Sequence, residues 1–170
     1  MVKTSPAVLD PLQLGAYFAL IEVSSLLRHA VEQQLRRAGD LSYVQFQLLA
    51  TLGDAPRGCL RMTDLADGVV YSRSGLTYQA QTLEKRGLVS RAPSSEDERS
   101  IEVAITEDGR SLLADVFPGH IAILNDMLFA PLTGQDVQTL ADVLARARDH
   151  MRQGPARSAA PRGRAHRSTS

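Results

Sequence analysis

Between residues 73 and 86, Arg73, Ser74, Thr77, Tyr78, Gln81 and Lys85 recur at three- and four-residue steps. On a helix those steps bring side chains to one side. Leu76, Ala80 and Leu83 fall on the opposite side and must point inward, which turns the polar set toward solvent. Hydroxyl and amide groups of this reach can hydrogen-bond the edges of bases, and cations beside them suit phosphate oxygens. The chemistry on offer is recognition of a nucleic acid, with Ser72 placed to cap the helix that carries it. Taken alone, such a face is also what any solvent-exposed helix presents, so the neighbouring elements decide.

A second group follows. Leu88-Val89-Ser90-Arg91 reads as a strand, and Ile101, Val103 and Ile105 alternate with Ser100, Glu102 and Ala104 in a period of two, which predicts a hairpin. The connection from Pro93 to Arg99 is longer than the two-residue turns that close tight hairpins, so it should project as a wing. Arg99 stands at its return, where a guanidinium could enter the negative potential of a minor groove. Asp97 could orient that arginine through a charge-assisted bond, while Glu96 and Glu98 would be repelled by phosphate. An arginine merely paired with its acidic neighbours is the competing reading.

Catalytic constellations are not found. His29, His120 and His150 are far apart in the chain, and no paired carboxylates, glycine-rich phosphate loop or activated nucleophile can be assembled. No enzyme activity is expected. The lone Cys59 cannot form an internal disulfide, and nothing near it has the spacing of a zinc site, so no metal and no cofactor are expected. As a strand residue it reads as a small buried hydrophobe.

The elements that position these groups can be placed from their caps. Asp10-Pro11 starts a first helix that Gly39 closes. Its apolar residues run from Leu12 to Leu35 and, with Leu14, Phe18 and Ile21, cover more than one face. Such a helix needs cover on two sides, or else lies deep in a single core. Ser42 and Gln45 form a capping box for a second helix that ends at Gly53. Cys59 to Met62 allows a brief strand, Thr63 caps a third helix to Val70, and a fourth runs from Arg73 to Arg86 with Gly87 as its C-terminal cap. Two short capped helices separated by a tight turn form a helix-turn-helix. Thr106 caps a further helix in which Pro118-Gly119 predicts a kink or break. Pro131-Leu132-Thr133 precedes a last helix carrying Val137, Leu140, Leu144, Ala147 and Met151.

Lysine plus arginine equals aspartate plus glutamate, 19 each, so no global attraction to phosphate exists and binding must come from local charge. The stretch from Arg57 to Arg91 is locally basic. The opening residues MVKTSPAVLD lack an export signal, and no segment is expected to reach bilayer-crossing apolar length. A cytoplasmic protein with no membrane partner is expected. Beyond Met151 the composition turns to Arg, Ala, Pro, Gly and Ser, which predicts a disordered basic tail over 152–170.

With these parts in order, residues 41 to 113 resemble the MarR family of winged helix-turn-helix regulators. The phrase LSYVQFQLLATL resembles the family's second helix, and LRMTDLADGVVYSRSGLTYQAQTLEKRGLVSR resembles its strand, helix-turn-helix and first wing strand. DERSIEVAITEDG is similar to the wing signature. The resemblance implies a mainly α fold with a small β-wing (α+β). It divides the chain into an N-terminal dimerisation helix at 10–38, a winged helix-turn-helix at 42–106 and C-terminal dimerisation helices at 107–151. The implied protein is a homodimer on a pseudo-palindromic operator in double-stranded DNA, with helix 73–86 in the major groove and wing 93–99 at the minor groove. It also implies a repressor released by a small-molecule effector, whose identity the sequence leaves open, in a cleft between the dimer body and the DNA-reading part. Tyr17, Phe18 and Phe46 are candidates for that cleft and read equally as core. Tyr78 and Gln81 depart from the residues common in relatives, so base preference does not transfer. A winged helix used only as a protein-interaction module is the alternative.

Overall fold

The computed structural model describes residues 9–68, 73–94 and 100–153. Ser72, Asp97, Arg99 and most of the basic tail lie outside the described residues. The described helices are α1 (Pro11–Gly39), α2 (Tyr43–Asp54), α3 (Met62–Gly68), α4 (Arg73–Lys85), α5 (Glu107–Leu124) and α6 (Gly134–Gln153). The strands are β1 (Cys59–Arg61), β2 (Val89–Pro93) and β3 (Ile101–Ile105), and a π-helical turn, Asn125–Phe129, follows α5. The fold is thus mainly α with a small antiparallel sheet, as expected.

Local signals explain the starts. Asp10 accepts from the Gln13 N–H at 2.8 Å while Gln13 Oε1 accepts from the Asp10 N–H at 3.0 Å, a reciprocal box ahead of Pro11. Ser42 and Gln45 repeat it at α2. Thr106 Oγ1 accepts from the Gly109 N–H and donates to the Gly87 carbonyl, so one hydroxyl caps α5 and fastens it to the end of α4.

The strands lie in the order β1-β3-β2, all antiparallel. Cys59 pairs with Ala104 and Arg91 with Val103. β2 is an outer strand, which is why Pro93 is tolerated at its end opposite Ile101. The core lies between the sheet and helices α1 to α5, where Leu35, Leu49, Leu52, Leu65, Leu76 and Leu83 are fully buried.

Several boundaries differ from expectation. α3 begins at Met62 directly from β1, so Thr63 sits inside its first turn and its hydroxyl donates to Asp64 at 3.3 Å instead of capping. Leu88 is not strand: its N–H returns to the Leu83 carbonyl at 3.0 Å and closes α4. α5 passes unbroken through Pro118. Ala114, whose carbonyl loses its partner to the proline, is exposed and can be met by water. The α1–α5 contact then holds the helix. A Cβ on Gly39 would lie 2.8 Å from Val116 Cγ1, one on Gly119 would lie 2.6 Å from Gln34 Nε2, and Gln34 donates to the Val116 carbonyl at 3.0 Å. Cys59 is half-buried, not buried.

The chain divides into two compact units, the first ending at Leu128 and the second beginning at Phe129. In the second, Asp136 Oδ2 accepts from the Thr133 hydroxyl at 2.6 Å and from its N–H at 2.9 Å, which starts α6. These bonds hold the Asp136 carboxyl below its ordinary pKa.

The N-terminal half of α1 is bare: Leu12 is 83% exposed and Phe18 62%. By length and composition alone, α1 and Glu107–Phe129 are each long and apolar enough to cross a membrane, contrary to the expectation that no segment reaches that apolar length. Glu22 interrupts the first, and Asp115 and His120 the second.

Candidate nucleic-acid interface and a neighbouring cavity

Helix α4 turns a polar face to solvent because its other side is committed to the core. Leu76, Ala80 and Leu83 are at most 1% exposed, and they set the rotation of the helix. Ser74, Tyr78, Gln81 and Lys85 are exposed on the far side, while Thr77 is half-buried at its margin. Tyr78 is the most prominent of these at 65% exposure, an aromatic side chain for which the core offers no place. Arg73 opens the helix.

The hairpin beside α4 is anchored at its neck. The Ser94 N–H donates to the Ser100 carbonyl at 2.8 Å, and the buried Ser94 hydroxyl donates to Glu102 at 2.9 Å. These bonds fix where the loop leaves the sheet. Arg91 on β2 approaches Glu84 of α4 at 3.5 Å, so a charge pair spans the hairpin and the helix.

A cavity of about 560 Å³ lies between α1, α2 and α5, lined by Ile21, Ser24, Ser25, Leu27, Arg28, Val31, Tyr43, His120 and Leu124. Arg28 lies over the Tyr43 ring, its guanidinium carbon 5.0 Å from the centroid. His120 packs against Phe46 with ring centres 4.7 Å apart and planes tilted by 51°, and its buried Nδ1 has no hydrogen-bond partner. Burial pushes the His120 pKa below its ordinary value.

The aromatic residues picked from the sequence are not gathered on this cavity. Phe46 is core, in ring contact with Phe117 and His120. Tyr17 and Phe18 form an edge-to-face pair on exposed α1. Arg28, Tyr43 and His120 were missed as a group. A usable signal existed in Ser24, Ser25 and Arg28, which break the apolar surface of α1 along one side. Among the described residues no cluster of three or more His, Cys, Asp or Glu could hold a metal ion.

Comparison with known proteins bears on this arrangement. The sequence profile of the MarR family matches residues 39–100. The uncharacterised regulator YfiV of Bacillus subtilis is 32% identical over 110 residues, 64% of this chain and 68% of that protein. The chain belongs to the MarR family. The HTH-type transcriptional repressor YetL of Bacillus subtilis is 29% identical over 122 residues, 72% of each chain. Among solved structures, the MarR regulator Sco3205 of Streptomyces coelicolor, crystallised in complex with DNA, has a TM-score of 0.83 at 28% identity, covering 92% of this chain and 96% of its own. The MarR fold therefore extends well past the matched 39–100 segment to include the flanking helices.

Proposed function

We propose that this MarR-family chain is a homodimeric, cytoplasmic repressor that places α4 in the major groove of an operator and the wing at the adjacent minor groove. The observation that carries the reading is the exposed face of α4, where Ser74, Tyr78, Gln81 and Lys85 project from a helix locked by buried Leu76, Ala80 and Leu83. Its likeness to a relative crystallised with DNA supports the same assignment. Ser72, Arg73 and Thr77 at the helix start, and Asp97 and Arg99 in the wing, complete the proposed contact set.

Dimerisation accounts for the bare apolar surface of α1. Leu12, Tyr17, Phe18 and Leu20 are each about half exposed or more, a run of bare hydrocarbon of the kind that marks an interaction surface. In this reading residues 10–38 and 107–151 form the dimer body and 42–106 the DNA-binding region. A second copy fits that surface better than a bilayer, because Glu22, Arg28 and Glu32 on the same helix would be costly in hydrocarbon.

The cavity beside α2 is the proposed effector site. Its walls are apolar apart from two serines, one cation, a phenol and a partly buried imidazole, a set suited to a small aromatic acid whose carboxylate meets Arg28. The site touches α1, α5 and α2, so a ligand there can bias the DNA-binding part relative to the dimer body.

A titration of the purified protein against the DNA upstream of its own gene, with a shuffled duplex as control, tests the reading. Tight, salt-dependent binding to the upstream DNA is expected, at least about 1,000-fold above the shuffled duplex. Equal binding to both, or none, would favour the protein-interaction module. Sedimentation of wild type and of Leu12→Asp tests the assembly: a dimer is expected for the first and a monomer for the second.

A further inference from the structure

Arg86 directly follows the last residue of α4, and the backbone holds it rigidly. Its N–H reaches the Thr82 and Leu83 carbonyls at 3.3 and 3.2 Å, and the Leu88 N–H returns to the Leu83 carbonyl at 3.0 Å. Gly87 between them has φ 74°, the left-handed conformation that such a helix closure needs. The end of α1 is closed in the same manner. Asp40 has φ 48°, and the Leu41 N–H returns to the Leu35 carbonyl at 3.2 Å. Leu41 and Leu88, the residues that follow each closure, are both buried.

These closures do not use the carbonyls of Gly39 and Asp40, which lie at the negative end of a 29-residue helix. Arg86 takes both. Its Nη1 donates to the Asp40 carbonyl at 2.7 Å and its Nη2 to the Gly39 carbonyl at 2.9 Å. A planar guanidinium bonded to two neighbouring carbonyls constrains direction as well as distance, which one ammonium could not do. Apart from this link α4 packs chiefly on α2, α3 and β2. The bond therefore joins the proposed reading helix to the helix that carries the bare apolar surface.

We propose that Arg86 is a positioning residue that locks the orientation of α4 to the end of α1, and so sets the separation of the two reading helices in the dimer. The proposal rests on the dimeric, DNA-reading function above. Two half-sites about 10 base pairs apart can be bound together only if both α4 helices are held at that separation. Each protomer supplies one α4 and one α1, so slack at either Arg86 link reaches the partner's half-site directly.

The test compares wild type, Arg86→Ala and Arg86→Lys on four duplexes: the full operator, a single half-site, an operator with two base pairs inserted between half-sites, and random DNA. Arg86→Ala is expected to bind the full operator about tenfold more weakly, because the second half-site meets a lower effective concentration of its reading helix. Its binding to the half-site and to random DNA should stay within about twofold of wild type, and its penalty for the inserted base pairs should shrink. Arg86→Lys, which keeps the charge but replaces the rigid planar fork by a single ammonium on a flexible stem, should fall between the two.

Equal weakening on all four duplexes, with the salt slope flattened by about 0.9, would make Arg86 a phosphate contact and overturn the proposal. Equal weakening with a lowered melting temperature would make it merely structural and also overturn it. Spin labels on Gln81→Cys in a Cys59→Ser background supply a readout without DNA. A sharp distance distribution near ~34 Å is expected, broadened by Arg86→Ala. A distribution that stays sharp refutes the Arg86 role alone, whereas the absence of any distance between protomers refutes the dimer and the proposal with it.

Discussion

The guanidinium of Arg28 lies 5.0 Å from the centre of the Tyr43 ring, across the join between α1 and α2 on the wall of the cavity. The two side chains come from different helices, so a ligand that draws Arg28 off the ring loosens one helix from the other. Benzoate and its hydroxylated relatives should therefore weaken operator binding by wild type. In Arg28→Ala the concentration needed should rise about tenfold, the worth of one charge-assisted pair. Isothermal titration of ligand into each protein checks this, and an unchanged affinity in Arg28→Ala would remove the arginine from the site.

His120 governs a pH dependence. Burial holds its pKa below the ordinary 6.5, so between the two values the unfolded chain binds more protons than the folded one. Stability then rises with pH through that window and falls as pH drops below about 6.5, by at most roughly 1.4 kcal/mol per pH unit. The lowered Asp136 carboxyl acts in a separate window, below its ordinary 3.8. Denaturant melts between pH 5 and 7 should show a steeper loss in wild type than in His120→Phe, which keeps the ring contact with Phe46. Parallel curves would contradict the assignment.

Gly109 has no room for a side chain. A Cβ there would run into the Leu88 carbonyl and lie 2.9 Å from Ile105 Cγ1, both part of the junction of α4, β3 and α5. Gly109→Ala should cost about 2 kcal/mol and lower the melting temperature by roughly 5 °C. Gly134 meets nothing within 4 Å, so Gly134→Ala should change the melt by no more than about 1 °C.

Most of the fold was legible because its signals are local. Asp10, Ser42 with Gln45, Thr106 and Gly87 each bound an element through bonds within a few residues, and the alternation from Ile101 to Ile105 reports one buried face. The exposed polar face of α4 was legible for the same reason, since Leu76, Ala80 and Leu83 fix the rotation of the helix. Tertiary effects were not legible. Pro118 stays inside α5 because Gly39, Gly119 and Gln34 bring α1 close, and nothing near Pro118 in the chain announces that. The cavity was hidden likewise, since Arg28, Tyr43 and His120 come from three helices. So was the link from Arg86 to Gly39 and Asp40, where a cation in a basic stretch has carbonyls as its partners.

The wing makes a separate prediction through Arg99. If its guanidinium enters the minor groove, Arg99→Ala should weaken operator binding by about tenfold and flatten the salt slope by about 0.9, with dimer assembly and melting temperature unchanged. Asp97→Ala should reproduce part of that loss. An unaltered salt slope in Arg99→Ala would assign the arginine to its acidic neighbours.

Base reading by the exposed face of α4 is tested by the specificity ratio of Gln81→Ala measured beside wild type. Operator and random duplexes are titrated by fluorescence anisotropy at one fixed salt concentration. Loss of a base contact predicts that operator affinity falls about tenfold or more while random-DNA affinity stays within about twofold. The same pattern is expected for Thr77→Ala. Equal losses on both duplexes, or none on either, would contradict base reading by this face.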